Sequence, residues 1–266
     1  MLFRSVVLTS ATLAVDGRFD FFRQRLGLEQ TTTRLIDSSF DHARQALLYL
    51  PQGMPEPKDE RFIGRAVEEI ERLVGVTDGR AFLLFTSFAN LNRVRDALAQ
   101  LGRWPLLVQG EGSKAGLLEA FRTTPRAVLL GSTSFWHGVD VPGEALSLVV
   151  VDKLPFDVPD DPLIGARIRR LREEQKDPFF EYQVPLAVLE LKQGLGRLLR
   201  SSSDRGILSV LDPRLTTRRY GKLFLGSLPP YRIVRDFDQC ASFFAAEAAS
   251  HDGIEIGKPG GPCASA

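Results

Sequence analysis

The stretch Ala81-Phe82-Leu83-Leu84-Phe85 decides the fold. It is five apolar residues with no polar alternation. A strand of that kind is covered on both faces, as in a parallel sheet flanked by helices. Thr86 and Ser87 follow as N-cap candidates. Residues 88–101 then carry apolar side chains at 91, 94, 98 and 101, a helical period, and Gly102 closes the helix. This strand–helix unit repeats downstream. Strands are predicted at 105–109, 127–131, 146–152 and 206–212, with helices at 112–121, 163–176 and 185–199. Upstream lie a predicted helix at 61–74, a strand at 45–50 stopped by Pro51, a polar irregular segment at 31–45 and a short helix at 19–26 closed by Gly27. Residues 5–9 form a β-branched run that reads as a strand. Downstream, residues 220–225 finish a helix and residues 236–249 form another, with Phe237, Cys240, Phe243 and Phe244 on its inner face. The Gly- and Pro-rich end, 251–266, is expected to be a disordered tail. Alternating units with short connections predict an α/β fold, an open, doubly wound, mostly parallel sheet with helices on both faces. Ligands in such sheets meet the loops at the carboxyl ends of the strands.

Composition bounds the function more loosely. The chain has 266 residues, 44% hydrophobic and 25% charged, enough for one large domain or two small ones. A net charge of +1 gives no whole-molecule field for nucleic acid, so such a site must come from local clustering. The two cysteines, Cys240 and Cys263, form neither a metal spacing nor a disulfide framework, which points to a reducing, cytoplasmic setting. No apolar run approaches the ~20 residues of a membrane span, and the N-terminus lacks a signal-peptide pattern. A chain that opens inside a strand suggests that something precedes it.

Three strand ends can carry chemistry. After Phe85 come Thr86, Ser87 and Phe88. After Leu130 comes Gly131-Ser132-Thr133-Ser134-Phe135-Trp136-His137-Gly138-Val139-Asp140-Val141-Pro142-Gly143. After Asp152 comes Lys153-Leu154-Pro155-Phe156. In the middle loop the glycines let backbone N–H groups approach a phosphate, and Asp140 can accept from a ribose or an arginine. Phe135 and Trp136 either stack on bases or belong to the core. His137 reads as a loop histidine, and with three histidines in the chain no metal site is expected. A further segment, Gln193-Gly194-Leu195-Gly196-Arg197-Leu198-Leu199-Arg200, read as a helix, puts Gln193, Arg197 and Arg200 on one face at i, i+4 and i+7. Two planar guanidinium forks suit phosphate oxygens; the bland alternative is a solvated basic stripe. The decoys fail. Gly194-Leu195-Gly196 lacks the third glycine of a dinucleotide fingerprint, and no Gly-Lys pair is followed by Ser or Thr as in a P-loop.

In order and spacing these segments resemble the C-terminal part of superfamily 2 ATP-dependent DNA helicases of the DinG/XPD type, over roughly residues 1–230. Leu8-Thr9-Ser10-Ala11-Thr12-Leu13 is similar to motif III and Leu84-Phe85-Thr86-Ser87-Phe88 to motif IV. Residues 134–143 are similar to motif V, with the family-typical Lys153-Leu154-Pro155-Phe156 behind it. Gln193 to Arg200, with Asp204-Arg205-Gly206, is similar to motif VI. The resemblance implies a RecA-like, P-loop NTPase-type domain over 31–250, preceded at 1–30 by the end of a first helicase domain. In that family two such domains close around ATP and Mg²⁺. It implies that Gln193, Arg197 and Arg200 face the β/γ-phosphates, and that Gly138 and Asp140 lie where nucleotide and DNA meet. Ser10 and Thr12 would couple phosphate sensing to DNA. Thr86, Ser87, Ser134, Phe135 and Trp136 would contact single-stranded DNA. The P-loop domain and the family's iron–sulfur cluster are not encoded in these residues. The implied role is the arginine-supplying half of a 5′ to 3′ helicase, inactive alone. The alternative is a stand-alone, non-enzymatic nucleic-acid-binding module.

Overall fold

The computed structural model describes residues 6–132, 135, 145–157 and 161–251, the last seven by backbone alone. Seven strands form one sheet: β1 (Ala46–Tyr49), β2 (Ala81–Phe85), β3 (Leu106–Val108), β4 (Val128–Ser132), β5 (Leu148–Val151), β6 (Gly206–Val210) and β7 (Arg232–Val234). Their order is β3-β4-β2-β5-β6-β1-β7, and every pairing is parallel. The α/β, RecA-like expectation of an open parallel sheet is met.

Each central strand is apolar throughout because each face has its own helices. In β2, Phe82 and Leu84 enter one core with α5 (Lys114–Thr123), α7 (Val184–Leu195) and α9 (Gly221–Ser227). Ala81, Leu83 and Phe85 enter the other, with α3 (Arg61–Thr77), α4 (Phe88–Leu101) and α10 (Phe237–His251). The predicted inner face of the last helix holds: Cys240 is fully buried and Phe243 nearly so. The remaining helices are α1 (Asp20–Leu26), α2 (His42–Gln45), α6 (Pro162–Glu173) and α8 (Arg214–Thr217), and a π-helical turn, Phe179–Gln183, leads into α7.

The structure departs from the sequence reading in three places. Residues 6–10 form no strand; Val6 and Val7 are 73% and 86% exposed and pair with no strand of the described sheet. The predicted helix 185–199 ends at Leu195, with Gly196 as its C-cap residue. Glycine is a poor helix former and common where helices stop, so the run Gly194-Leu195-Gly196 favours termination there. Arg197 and Arg200 therefore stand in the turn beyond the helix, not on its face. Lastly, β7 goes unread in the sequence; it is three residues long, two of them exposed, and pairs with β1 alone.

Candidate functional site

The predicted residues sort onto opposite edges of the sheet. At the carboxyl edge, Phe85 ends β2, and Ser87 accepts from the Asn90 N–H at 3.3 Å as the N-cap of α4. The capped turn is fixed from below by a carboxylate that spacing alone does not single out. Asp152, 1% exposed, accepts from the Thr86 N–H at 2.9 Å, the Lys153 N–H at 2.7 Å and the Asn90 side-chain amide at 2.9 Å. Burial pushes its pKa up to about 6, against the opposing pull of those donors and of Lys153. Asp212 does the same one strand further on. It accepts from the Leu154 N–H at 2.9 Å and holds Arg214 through Nε at 2.9 Å and Nη2 at 2.6 Å. Two buried aspartates thus tie together the exits of β2, β5 and β6. The available signal was that both apolar strand segments, 146–152 and 206–212, end in Asp.

At the amino edge sits the arginine turn. Asp204, nearly buried, accepts from the Arg200 N–H at 2.6 Å, the Ser201 N–H at 2.7 Å and the Ser201 hydroxyl at 2.7 Å. The Gln45 amide, one residue before β1, donates to the Ser201 and Asp204 carbonyls at 3.0 and 2.9 Å. Gly206 starts β6 opposite Ala46. A Cβ on Gly206 would lie 2.7 Å from a Leu198 methyl and 2.9 Å from the Ser147 carbonyl carbon, so only glycine lets the turn close on the sheet. Asp204 and Gly206 therefore shape the segment that carries Arg197, half-buried, and Arg200, exposed.

Gln193 reaches from the end of α7 to the Thr12 hydroxyl at 3.4 Å, and Thr12 and Ser10 hydroxyls lie 3.3 Å apart. Lys192 donates to the Ala14 carbonyl at 3.1 Å, and burial lowers its pKa. Gln193, Ser10, Thr12 and the arginine turn are thus brought together. Thr86 and Ser87 lie at the other edge, so the arginines do not face the carboxyl-edge loops as the general rule for such sheets leads one to expect. That rule concerns a ligand held by the sheet itself; a group presented to a ligand bound elsewhere is free of it.

Phe135 corrects another expectation. Its ring is 3% exposed, packs edge-on against Phe82 at 6.3 Å and closes over Gly131, whose position leaves no room for a Cβ. Among the described residues the exposed ring at a strand exit is Phe88, 53% exposed. Ser134, Trp136, His137, Gly138 and Asp140 lie outside the described residues. Among the described residues no cluster of three or more His, Cys, Asp or Glu side chains could hold a metal ion, and no helix is long and apolar enough to cross a membrane.

Residues 70–231 match the model of the helicase C-terminal domain. The chain belongs to that family. The helicase C-terminal domain described here is 43% identical over 241 residues to the ATP-dependent DNA helicase YoaA of Escherichia coli, covering 91% of this chain and 38% of that protein. It is 40% identical to the ATP-dependent helicase DinG of Mycobacterium tuberculosis, over 85% of this chain and 35% of that protein. The chain thus spans little more than a third of the length of these relatives. Among solved structures it resembles an XPD helicase, with a TM-score of 0.55 at 16% identity, over 71% of this chain and 36% of that one. The relation is to the DinG/XPD branch of superfamily 2.

Proposed function

We propose that this domain is the second motor unit of an ATP-dependent DNA helicase, moving 5′ to 3′ in the cytoplasm in the repair of DNA. The observation that carries the reading is the shaped turn at the amino edge. Asp204 and Gln45 fix its backbone, and Gln193 meets Thr12 beside it. A first RecA-like domain supplies the P-loop, the Mg²⁺ ligands and any iron–sulfur cluster, and residues 1–30 belong to its end. The exposed Val6, Val7 and Leu8 favour that assignment, since apolar side chains of this kind are ordinarily covered.

ATP supplies the triphosphate whose charge grows on hydrolysis. Arg197 and Arg200 place guanidinium donors against that charge, with Gly138 and Asp140 on the same nucleotide. Gln193 reports phosphate occupancy to Ser10 and Thr12 through its hydrogen bond. At the carboxyl edge Thr86 and Ser87, with Ser134 and Trp136, hold single-stranded DNA. Phe135 is excluded from that role by its burial.

The test needs both domains in one polypeptide. Arg197→Ala there should lower ATP turnover by about 10³-fold or more, the worth of an arginine finger in other nucleoside triphosphatases, with single-strand affinity unchanged. The 266-residue chain alone should show no turnover with or without single-stranded DNA. Turnover by the isolated chain, or undiminished turnover in the variant, would refute the assignment.

A further inference from the structure

The peptide that closes the arginine turn is gripped from outside as well as from within. Arg205 stands between Asp204, which holds the turn, and Gly206, which opens β6. Its guanidinium lies 3.8 Å over the ring of Phe243, and its Nη2 donates to the Phe243 carbonyl at 3.0 Å. Both partners belong to α10. Phe243 is nearly buried, and the Arg205 Nε is shut away from water with no hydrogen-bond partner among the described residues. Nor does Arg205 form an ion pair with any of them. Holding a half-buried cation without a carboxylate costs solvation, and a leucine or methionine would fill the space without that cost. What the guanidinium provides instead is fixed geometry. A planar fork that stacks on a ring and also donates to a carbonyl has both its tilt and its reach set.

The helix that Arg205 grips is pinned at its other end. Arg72 of α3 lies 3.8 Å over the Phe237 ring, and Tyr49 packs edge-on against the same ring at 6.2 Å. Glu69, 1% exposed, accepts from the Tyr49 hydroxyl at 2.9 Å and pairs with Arg72 at 3.3 Å and with Arg65. Between the two stacked rings Cys240 is fully buried. The last helix is therefore a strut. One end is fixed on α3 and β1, and Arg205 meets it six residues further along, at Phe243. A continuous chain of contacts runs Tyr49, Glu69, Arg72, Phe237, Phe243, Arg205 and ends at the turn that carries Arg197 and Arg200.

We infer that Arg205 is a positioning residue for Arg197 and Arg200, and that the seating of α10 sets how those guanidiniums are aimed. This rests on the reading of the two arginines given above. It adds a helix that lies outside all four motifs and a side chain whose partner is that helix. Asp204 fixes the shape of the turn from inside; Arg205 fixes that shape relative to the helix layer. A positioning role and a packing role have separable signatures. A positioning residue matters only while the group it aims is present, whereas a packing residue matters equally without it.

Two measurements test this, each made well below the thermal midpoint of every variant. The first is ATP turnover in the two-domain polypeptide. Arg205→Ala should lower kcat by about 10²-fold, the cost of a misplacement of about 1 Å, and leave KM for ATP unchanged. In an Arg197→Ala background the same change should cost about tenfold or less. Arg205→Lys, which keeps the charge and a donor, should recover part of the loss. Phe243→Leu, which keeps the apolar bulk and the carbonyl but removes the ring, should lose less than Arg205→Ala; should Arg205→Ala not fold, it is read in its place. The second is hydrogen exchange in the 266-residue chain. The Arg200 and Ser201 amides, held by Asp204, should exchange about 10- to 100-fold faster in Arg205→Ala, the worth of one hydrogen bond to a charged group. The Thr86 amide, held by Asp152 at the other edge, should keep its rate. If Arg197→Ala collapses turnover while Arg205→Ala matches wild type, the positioning role is wrong and the reading of the arginines stands. A full 10²-fold loss in the Arg197→Ala background, or equal acceleration at Thr86, would reduce Arg205 to packing and overturn the inference. If Arg197→Ala leaves turnover intact, both fall together.

Discussion

Asp152 is where the geometry makes its sharpest quantitative demand. In Asp152→Ala three donors lose their acceptor: the Thr86 and Lys153 N–H groups and the Asn90 amide. A buried donor left unmet costs about 1–3 kcal/mol. Thr86 and Lys153 are half-buried, so water recovers part of that. The net loss should be about 3–5 kcal/mol, a large share of the ~5–15 kcal/mol that holds a domain together. Asp152→Asn should behave differently. Its carbonyl oxygen can still accept both N–H groups, and Asn90 can turn its own oxygen toward the new amide. The substitution also removes an ionisation that the fold opposes. The pKa of Asp152 stands at about 6, above the ordinary 3.8. The folded state therefore binds this proton more tightly than the unfolded state between about pH 4 and pH 6. Stability from this group is fully present below the unfolded pKa and is lost as pH rises through 6. A shift of about two pH units corresponds to roughly 3 kcal/mol. Urea unfolding of wild type, Asp152→Ala and Asp152→Asn at pH 4.5 and pH 8 reads this directly. Asp152→Asn should fall behind wild type at the lower pH and draw level or ahead at the higher. If the two carboxamide–carboxylate differences are equal at both pH values, or if Asn costs as much as Ala at pH 8, the account of this carboxylate is wrong.

Two further outcomes follow from burial. Phe135→Ala removes a ring packed against Phe82 and should cost about 3–5 kcal/mol in chemical denaturation; a loss under 1 kcal/mol would return the ring to the surface. Cys240 has its thiol pushed up to about 12 by burial, with Glu69 and Asp236 adding to the effect. In a Cys263→Ser background it should therefore be silent to a disulfide reagent at pH 8 until denaturant is added, and rapid labelling of the folded chain would contradict its place on the inner face of α10.

The sequence disclosed the elements whose pattern is dictated by neighbours on both faces. The bounds of β2 and α4 follow from an apolar run, a Ser cap and a closing glycine, and the structure repeats them. It misled where one physical cue stands for two environments. Phe135 reads equally as a stacking ring or a core ring, and Phe82 and Gly131 decide it only once the sheet is assembled. Helical spacing carried Gln193, Arg197 and Arg200 onto one face because the period was extended through two glycines. The chain instead turns at Gly196, and Asp204 reaches back to hold the turn. Val6 to Leu8 looked like a strand because β-branched residues suit one, yet a strand needs a partner edge. The pairings of Asp152 and Asp212 were hidden because they join residues 62, 66 and 58 positions apart.

The arginine turn and the aspartate-tied exits occupy opposite rims of one slab. Between them run central strands with almost no solvent exposure, bolted to helices on either side. Interiors packed this tightly resist compression, so a tug at one rim cannot fade into local give along the way. In the motor proposed above, such a slab swings whole, as an oar does, and a strand gripped at the far rim is carried through the full stroke.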